Sequence, residues 1–147
     1  MKHAAVFVGG ALGAASRWAV GVALAPASPA AFPLATFVVN VSGAFGLGFA
    51  AVLLIERLAP TRYLRNLIGI GFFGAYTTFS TMAMDGVRLI DRGHVATAAV
   101  YWILTLIVGQ MAGVYGMWLG RADLPTRRGD ESERRRQAAA DIYRRVG

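Results

Sequence analysis

Four long apolar stretches alternate with short polar segments along the chain. Residues 4–25 carry a single charge, Arg17, while residues 33–55, 66–84 and 95–120 carry none. Each stretch reaches the roughly 20 residues that a helix needs to cross the hydrocarbon core of a bilayer. The pattern therefore predicts an all-α membrane protein with four transmembrane helices, at about residues 3–25, 33–57, 63–91 and 95–121.

The chain ends in a polar, arginine-rich segment that follows the last apolar stretch. We therefore divide the 147 residues into a transmembrane domain at 1–121 and a basic tail at 122–147, which we expect to be flexible and cytoplasmic. The first apolar stretch follows Lys2 much as a signal peptide would. Its full spanning length and the internal Arg17 favour a helix that is retained.

The 15 lysine and arginine residues are distributed unevenly between the two ends of the predicted helices. One end holds both termini and the loop after the second helix, with Lys2, Arg57, Arg62, Arg65, Arg121 and seven tail arginines. The other end holds Arg88 and Arg92. The positive-inside rule therefore predicts a multi-pass protein of the cell membrane with both termini in the cytoplasm. The net charge of +7 reflects these helix ends and does not indicate a nucleic-acid partner.

The polar side chains within the apolar stretches do not form a recognisable catalytic or side-chain metal site. There is no cysteine, no cluster of metal ligands and no nucleophile paired with a base, so we do not expect an enzyme. Glu56 and Asp85 lie near the ends of their helices. A carboxylate at the centre of a span is what a proton-coupled transporter would need, and its absence disfavours that class.

The stretch GAYTTFSTMAMD, residues 74–85, concentrates hydroxyl groups inside the third apolar segment. Four of them follow Gly74 closely: Thr77, Thr78, Ser80 and Thr81. This composition predicts a helix that is broken near its middle, and such backbone persists in a membrane only where it is buried or lines a cavity. Freed carbonyls suit a hard cation, hydroxyls can donate to an anion, and the ring edge of Phe79 carries positive charge.

Asn40 is the most distinctive polar residue of the second apolar stretch. Its amide offers two donors without a charge, so it can hold an anion without trapping it. It shares a helix face with Gly43 and Leu47. A hydrogen bond that joins two helices is the equally balanced alternative role.

Small residues recur at four-residue spacing in three of the stretches. In lipid, close backbone approach at small positions is a main source of helix association. We therefore expect helix packing at most of these positions: Gly9, Gly13, Gly46, Ala50, Gly109, Gly113, Gly116 and Gly120.

Three segments together resemble the fluoride channel family, the small dual-topology proteins called Fluc or CrcB. They are GGALGAASRW, ATFVVNVSGAFGLGF and GFFGAYTTFST, which begin at residues 9, 35 and 71. The resemblance implies antiparallel dimers of four-helix subunits with two fluoride pores. It also implies a central sodium ion on the backbone carbonyls of Gly74 and Thr77. The anion pathway it implies comprises Asn40, Phe79, Ser80, Thr81, Met82, Tyr101 and Thr105, with Arg17 in an aqueous vestibule.

The chain departs from this family pattern at two points. The family usually reads TTFSTF, and the second phenylalanine is Met82 here, whose thioether lacks a positive edge. Beyond Thr105 the polar track of the fourth helix fades into Gly109 and Gly113. These two departures disfavour two equal pores built from this chain alone. The strong charge bias favours insertion in one orientation and therefore pairing with an oppositely oriented paralogue.

The function implied by the resemblance is passive export of cytoplasmic fluoride, which lowers its toxicity. Its partners would be the fluoride ion, membrane lipid and a second subunit, either another copy or a paralogue. Two alternatives remain open at this point. One is a small multidrug-type, proton-coupled transporter, and the other is a non-conducting partner subunit of a heterodimeric fluoride channel.

Overall fold

The apolar stretches fold into helices along most of their length. The computed structural model describes residues 2–26, 28, 31–57, 62–122 and 136–137. The main helices within these ranges are α1 (Lys2–Ala23), α2 (Leu34–Ala51), α3 (residues 62–76), α4 (Phe79–Asp91) and α5 (Val95–Ala122). The predicted all-helical fold class is confirmed.

Four helical spans are long and apolar enough to cross a membrane, which confirms the predicted number. They are His3–Ala23, Leu34–Leu54, Arg62–Asp91 and Val95–Ala122. The third, at 30 residues, is the longest, because it contains both α3 and α4. Beyond Ala122, the predicted tail lies outside the described residues, apart from positions 136–137.

The first helix packs against α3 through direct backbone contact. A methyl group added at Gly9 would overlap the carbonyl of Leu67, and one at Gly13 would overlap the carbonyl of Phe72. Gly71 on α3 makes the same kind of close approach to α1, since a methyl group there would lie 2.8 Å from the Val6 carbonyl. The expected role of Gly9 and Gly13 in helix packing is confirmed.

The second helix packs against α5 in the same way. A methyl group at Gly116 would overlap the Phe45 carbonyl, and one at Gly48 would overlap the Gly113 carbonyl. Gly109 is the exception, because the space beside it is open. Close helix approach therefore accounts for most of the small residues, but not for Gly109.

Two segments at the same end of the bundle wind more widely than an α-helix. The second span continues beyond α2 as π-helical turns at Val52–Arg57. The third span begins with an α-helical turn at Arg62–Arg65, followed by π-helical turns at Asn66–Phe73 and a last helical turn at Gly74–Tyr76. Their hydrogen bonds join residues five apart, which frequently marks a functional region.

The third span is interrupted at Thr77 and Thr78, as the hydroxyl cluster predicted. Thr77 has φ −75° and ψ 157°, and Thr78 has φ −151° and ψ 118°. Both residues are therefore extended, and two helical halves meet at this break. At the far end of α4, Gly93 adopts a φ of 83°, which favours glycine, and the chain turns directly into α5.

Candidate functional site

Asn40 binds the interrupted backbone from the neighbouring span. Its Nδ2 donates to the carbonyl oxygen of Thr78 at 3.0 Å, and the Thr78 N–H donates to its Oδ1 at 2.8 Å. Each buried backbone group left without such a partner would cost about 1–3 kcal/mol. Asn40 thus joins two helices, while its second amide hydrogen has no partner in the described part of the chain and remains available.

A close approach between α2 and the break makes this pairing possible. Gly43 lies one helical turn beyond Asn40, and a methyl group there would overlap the side-chain methyl of Thr77. Ser42 and Tyr76 add a hydroxyl–hydroxyl contact of 2.9 Å between the same two segments. The side-chain volume at Gly43 therefore decides whether Asn40 reaches Thr78.

The hydroxyl cluster is largely devoted to shaping the break. The Thr78 hydroxyl oxygen caps α4 by accepting from the Thr81 N–H at 3.1 Å, and it also contacts the hydroxyls of Ser80 and Thr81. The Thr77 hydroxyl instead donates to the Phe73 carbonyl within its own turn, at 2.9 Å. Capping satisfies a free N–H at the helix start and contributes about 1 kcal/mol. That Ser80 and Thr81 also donate to an anion stays a prediction.

The break frees two backbone carbonyls from their helical partners. In a continuous helix the Gly74 carbonyl would accept from the Thr78 N–H, which here donates to Asn40. The Thr77 carbonyl would accept from the Thr81 N–H, which here donates to the Thr78 hydroxyl. Unwound carbonyls of this kind are typical ligands for Na⁺ at membrane depth. The oxygens of Gly74 and Thr77 therefore fit the chemistry of a sodium site.

An open groove of about 360 Å³ runs along α2, α4 and α5 beside the break. Of the predicted anion-pathway residues, it is lined by Asn40, Phe79, Met82 and Thr105. The Phe79 side chain is 76% exposed, so little of its ring packs within this chain. Gln110 also lines the groove. The sequence marked it as a polar residue in an apolar span but did not assign it to the pathway.

Two of the groove residues are already engaged by their own chain. The buried Thr105 hydroxyl donates to the Tyr101 carbonyl at 2.6 Å, so its hydrogen is not free to bind an anion. The Met82 side chain is buried, and its carbonyl accepts from the Trp102 indole N–H at 3.1 Å. Among the described residues of this groove, the amides of Asn40 and Gln110 keep free donors, and the exposed ring of Phe79 lines the same groove.

Arg17 lies in a separate crevice on the other side of the break. The crevice measures about 220 Å³ and is also lined by Thr36, Thr78 and Thr81. Thr78 lines both cavities, whereas Thr81 lines the crevice and not the groove. The structure therefore places Arg17 and Thr81 in one cavity and Asn40, Phe79, Met82 and Thr105 in another, and the two cavities share Thr78, whereas Ser80 and Tyr101 line neither.

A polar cluster that the sequence analysis did not assemble lies at the junction of three spans. The Thr36 hydroxyl donates to Asp85 Oδ2 at 2.7 Å, and Arg88 forms a 3.4 Å ion pair with Asp85 Oδ1. The Asp85 side chain is only 17% exposed, although its position had indicated the end of a helix. Tyr101 is fully buried beside this pair, and its hydroxyl makes no hydrogen bond in the described part of the chain. The signal available in the sequence was the polarity of Thr36 and Asp85, but nothing local indicated their contact.

The cluster opens into a third cavity of about 380 Å³ near the end of α4. Thr36 and Thr81 line this cavity as well as the crevice of Arg17. The side chains of Tyr101 and Thr105, one helical turn apart on α5, lie beside different features, and their shared role in a polar track stays a prediction. Tyr101 lies beside Asp85, while Thr105 lines the open groove.

Comparison with known proteins gives consistent results over the membrane domain. Residues 4–117 match the family described as CrcB-like protein, Camphor Resistance (CrcB). The chain is 44% identical over 124 residues to fluoride-specific ion channel FluC 3 of Streptomyces avermitilis, covering 84% of this chain but 60% of that relative. It is 47% identical over 109 residues to fluoride-specific ion channel FluC 1 of Mycobacterium tuberculosis, covering 74% and 82% respectively. Against fluoride-specific ion channel FluC of Hydrogenobaculum it is 38% identical over 120 residues, covering 82% and 98%.

Proposed function

The chain belongs to the CrcB-like family, and we propose on this premise that it forms a fluoride-specific channel in a cell membrane. The single observation that carries the proposal is the open groove that is lined both by Asn40, which keeps one amide hydrogen without a partner in the described chain, and by the exposed ring of Phe79. An amide N–H and an aromatic ring edge both present positive partial charge without a full charge. They can bind a small anion and still release it.

Transport through this groove would be passive. Hydrogen fluoride is a weak acid that crosses membranes and dissociates in the cytoplasm, where the anion accumulates. A membrane potential that is negative inside drives the anion outward with about 2.3 kcal/mol per charge per 100 mV. The groove therefore has to select and conduct fluoride, and no step of energy coupling is required.

The groove of one chain is open along one side, and a second subunit would complete it. Two features support a partner on this face: the ring of Phe79 is largely exposed, and the space beside Gly109 is open. A partner that covers this face would bury Phe79 and enclose the anion. The partner is either a second copy or an oppositely oriented paralogue, and the bias of arginines towards one end favours the paralogue.

The carbonyls of Gly74 and Thr77 would hold a sodium ion where two such subunits meet. One chain supplies two freed carbonyls, and an antiparallel partner would supply two more. When bound, the ion would neutralise these oxygens and fix the two breaks against each other. This chain's own contribution is the pairing of Asn40 with Thr78, which holds the carbonyls away from their helical donors.

We assign both termini to the cytoplasm because the arginine residues are concentrated at that end of the helices.

One alternative function for the chain rests on Met82. Met82 occupies the position of a second pore phenylalanine, so this chain would form a non-conducting subunit if two rings were essential. The multidrug-type alternative has no support from the family to which the chain belongs.

Fluoride efflux from liposomes tests the proposal directly. Vesicles that contain this chain alone should release fluoride but not chloride when the counter-cation is made permeant. Release only after a homologous subunit is added would assign the chain to a heterodimer. The absence of fluoride release in both preparations, with correctly folded protein, would overturn the proposal. Replacing sodium by N-methylglucamine throughout should slow release if the ion holds the subunits together.

A further inference from the structure

A cleft between α2 and α3, separate from the break, lies at the end of the bundle where the second span finishes. It measures about 460 Å³, within the range of roughly 300–1,000 Å³ typical of small-molecule sites. We call it the α2–α3 cleft and define it by its nine lining residues. These are Leu47, Ala50, Ala51, Leu54, Arg62, Arg65, Asn66, Gly69 and Ile70.

The walls of the α2–α3 cleft are apolar and accessible. Leu47 and Leu54 lie seven residues apart on the second span, which corresponds to roughly 10 Å of helix. On the facing wall, Ile70 is exposed and the space beside Gly69 is open. A cleft with such walls at membrane depth suits a hydrocarbon chain and offers little to a hydrated solute.

The mouth of the cleft carries two arginine cations. Arg62 and Arg65 are both exposed, and neither has an ion pair or hydrogen bond in the described part of the chain. They are three residues apart and so lie on one side of the helix. They also occupy the first turn of α3, where the helix dipole disfavours positive charge. An anion bound between the two guanidinium groups would offset their positive charges.

We propose that the α2–α3 cleft binds one anionic phospholipid. An acyl chain lies along the wall from Leu47 to Leu54, and the headgroup phosphate accepts hydrogen bonds from Arg62 and Arg65. Guanidinium groups suit this role because their forked donors match the oxygens of a phosphate. The combination of an apolar wall and a basic mouth selects a lipid over a free phosphate, which would use the arginines alone.

Native mass spectrometry of the intact protein in detergent tests the proposal, because it resolves bound lipids. Phosphatidylglycerol and phosphatidylcholine with identical acyl chains are titrated separately, with inorganic phosphate as a third arm. Phosphatidylglycerol should bind more tightly than phosphatidylcholine. Arg62→Gln and Arg65→Gln should each weaken phosphatidylglycerol binding roughly fivefold and weaken phosphatidylcholine binding less, because the choline cation of phosphatidylcholine offsets the charge of its phosphate.

Two further variants separate the cleft from general surface charge. Gly69→Leu should weaken the binding of both lipids, because its side chain enters the open space that the acyl chain would occupy. Arg121→Gln is the matched control: it removes an exposed arginine at the same end of the bundle, outside the cleft, and should leave lipid binding unchanged.

Four results would overturn the proposal. The first is equal binding of phosphatidylglycerol and phosphatidylcholine, and the second is an equal weakening of lipid binding by Arg121→Gln and Arg62→Gln. The third is displacement of the lipid by inorganic phosphate that binds as tightly as the lipid. The fourth is a Gly69→Leu protein that still binds lipid but no longer shows the mass of a dimer. The last would mean that a second subunit covers the cleft. None of these readouts depends on fluoride flux, so the lipid site and the channel function are tested separately.

Discussion

Asn40 and Thr78 form a reciprocal pair across 38 positions of the chain, in which one side-chain amide both donates to and accepts from one backbone residue. The amide takes the place of the helical neighbours that Thr78 lacks. It thereby stabilises the break and keeps the carbonyls of Gly74 and Thr77 free. Asn40 also lines the groove and keeps one amide hydrogen without a partner in the described ranges, so one residue connects the shape of the backbone with the proposed pathway.

Replacing Asn40 with alanine should therefore affect stability and flux together. Loss of the two hydrogen bonds leaves the Thr78 N–H and carbonyl unpaired, and we expect the free energy of unfolding to fall by about 2–3 kcal/mol. Fluoride efflux should fall further than the remaining folded fraction explains, because the groove also loses the free donor of Asn40 beside the break. Thermal unfolding in detergent and efflux from liposomes measure the two effects.

Ser42→Ala provides the matched control for Asn40. Its hydroxyl donates to the Val38 carbonyl of its own helix at 2.6 Å and makes an exposed 2.9 Å contact with the Tyr76 hydroxyl, so Ser42→Ala removes one exposed contact between the same segments but none of the hydrogen bonds to Thr78. This change should alter stability by less than about 0.5 kcal/mol. Equal effects of the two substitutions would contradict the role assigned to the pair of Asn40 and Thr78.

Thr78→Val should destabilise the start of α4 by removing its cap. The expected cost is about 0.5–2 kcal/mol, and amide exchange at Thr81 should accelerate because its N–H loses its acceptor. Thr77→Val removes a hydroxyl that bonds only within its own turn and should leave exchange at Thr81 unchanged. Hydrogen exchange followed by NMR distinguishes the two variants. Similar acceleration in both would contradict the capping role.

The features that the sequence could predict are those with local causes. Length and uniform apolarity fix the four spans, because a bilayer demands about 20 apolar residues in succession. The break follows from hydroxyl groups and a glycine within one short segment, since these groups satisfy a backbone that leaves the helix. The contacts of Gly9 and Gly116 follow from the value of small residues where helices meet in lipid.

The features that escaped prediction depend on contacts between distant segments. Thr36 and Asp85 are 49 positions apart, and the sequence around each residue does not indicate that the two are in contact. Thr81 lines the crevice of Arg17 and Phe79 lines the groove, because successive residues of a helix point about 100° apart. The rotation of α4 is fixed by its cap on Thr78. A helical pattern alone does not reveal which hydroxyl will point towards which cavity.

Tyr101→Phe should separate stability from flux. The buried hydroxyl of Tyr101 makes no hydrogen bond in the described ranges, so its removal should leave the free energy of unfolding unchanged or raise it by about 1 kcal/mol. If fluoride or its accompanying water uses that hydroxyl, efflux should fall in the same variant. Tyr115→Phe, at an exposed ring in an aromatic stack, is the control and should change neither quantity. Destabilisation of Tyr101→Phe with normal efflux would contradict a role in the pathway.

Phe79→Leu tests whether the ring edge itself contributes to conduction. Phe79 and Phe7 are 76% and 77% exposed, so replacing either with leucine removes a comparable unburied ring from the chain. Leucine retains the apolar character but lacks the positive edge, which is worth about 0.5–1.5 kcal/mol in ring contacts. We therefore expect Phe79→Leu to slow fluoride efflux roughly three- to tenfold, with little change in thermal stability. Phe7→Leu, on α1 and away from the groove, should conduct as the unmodified chain does. If both variants release fluoride at the same rate, the ring of Phe79 packs against a partner and does not contact the anion. A fall in dimer mass for Phe79→Leu would identify that packing role.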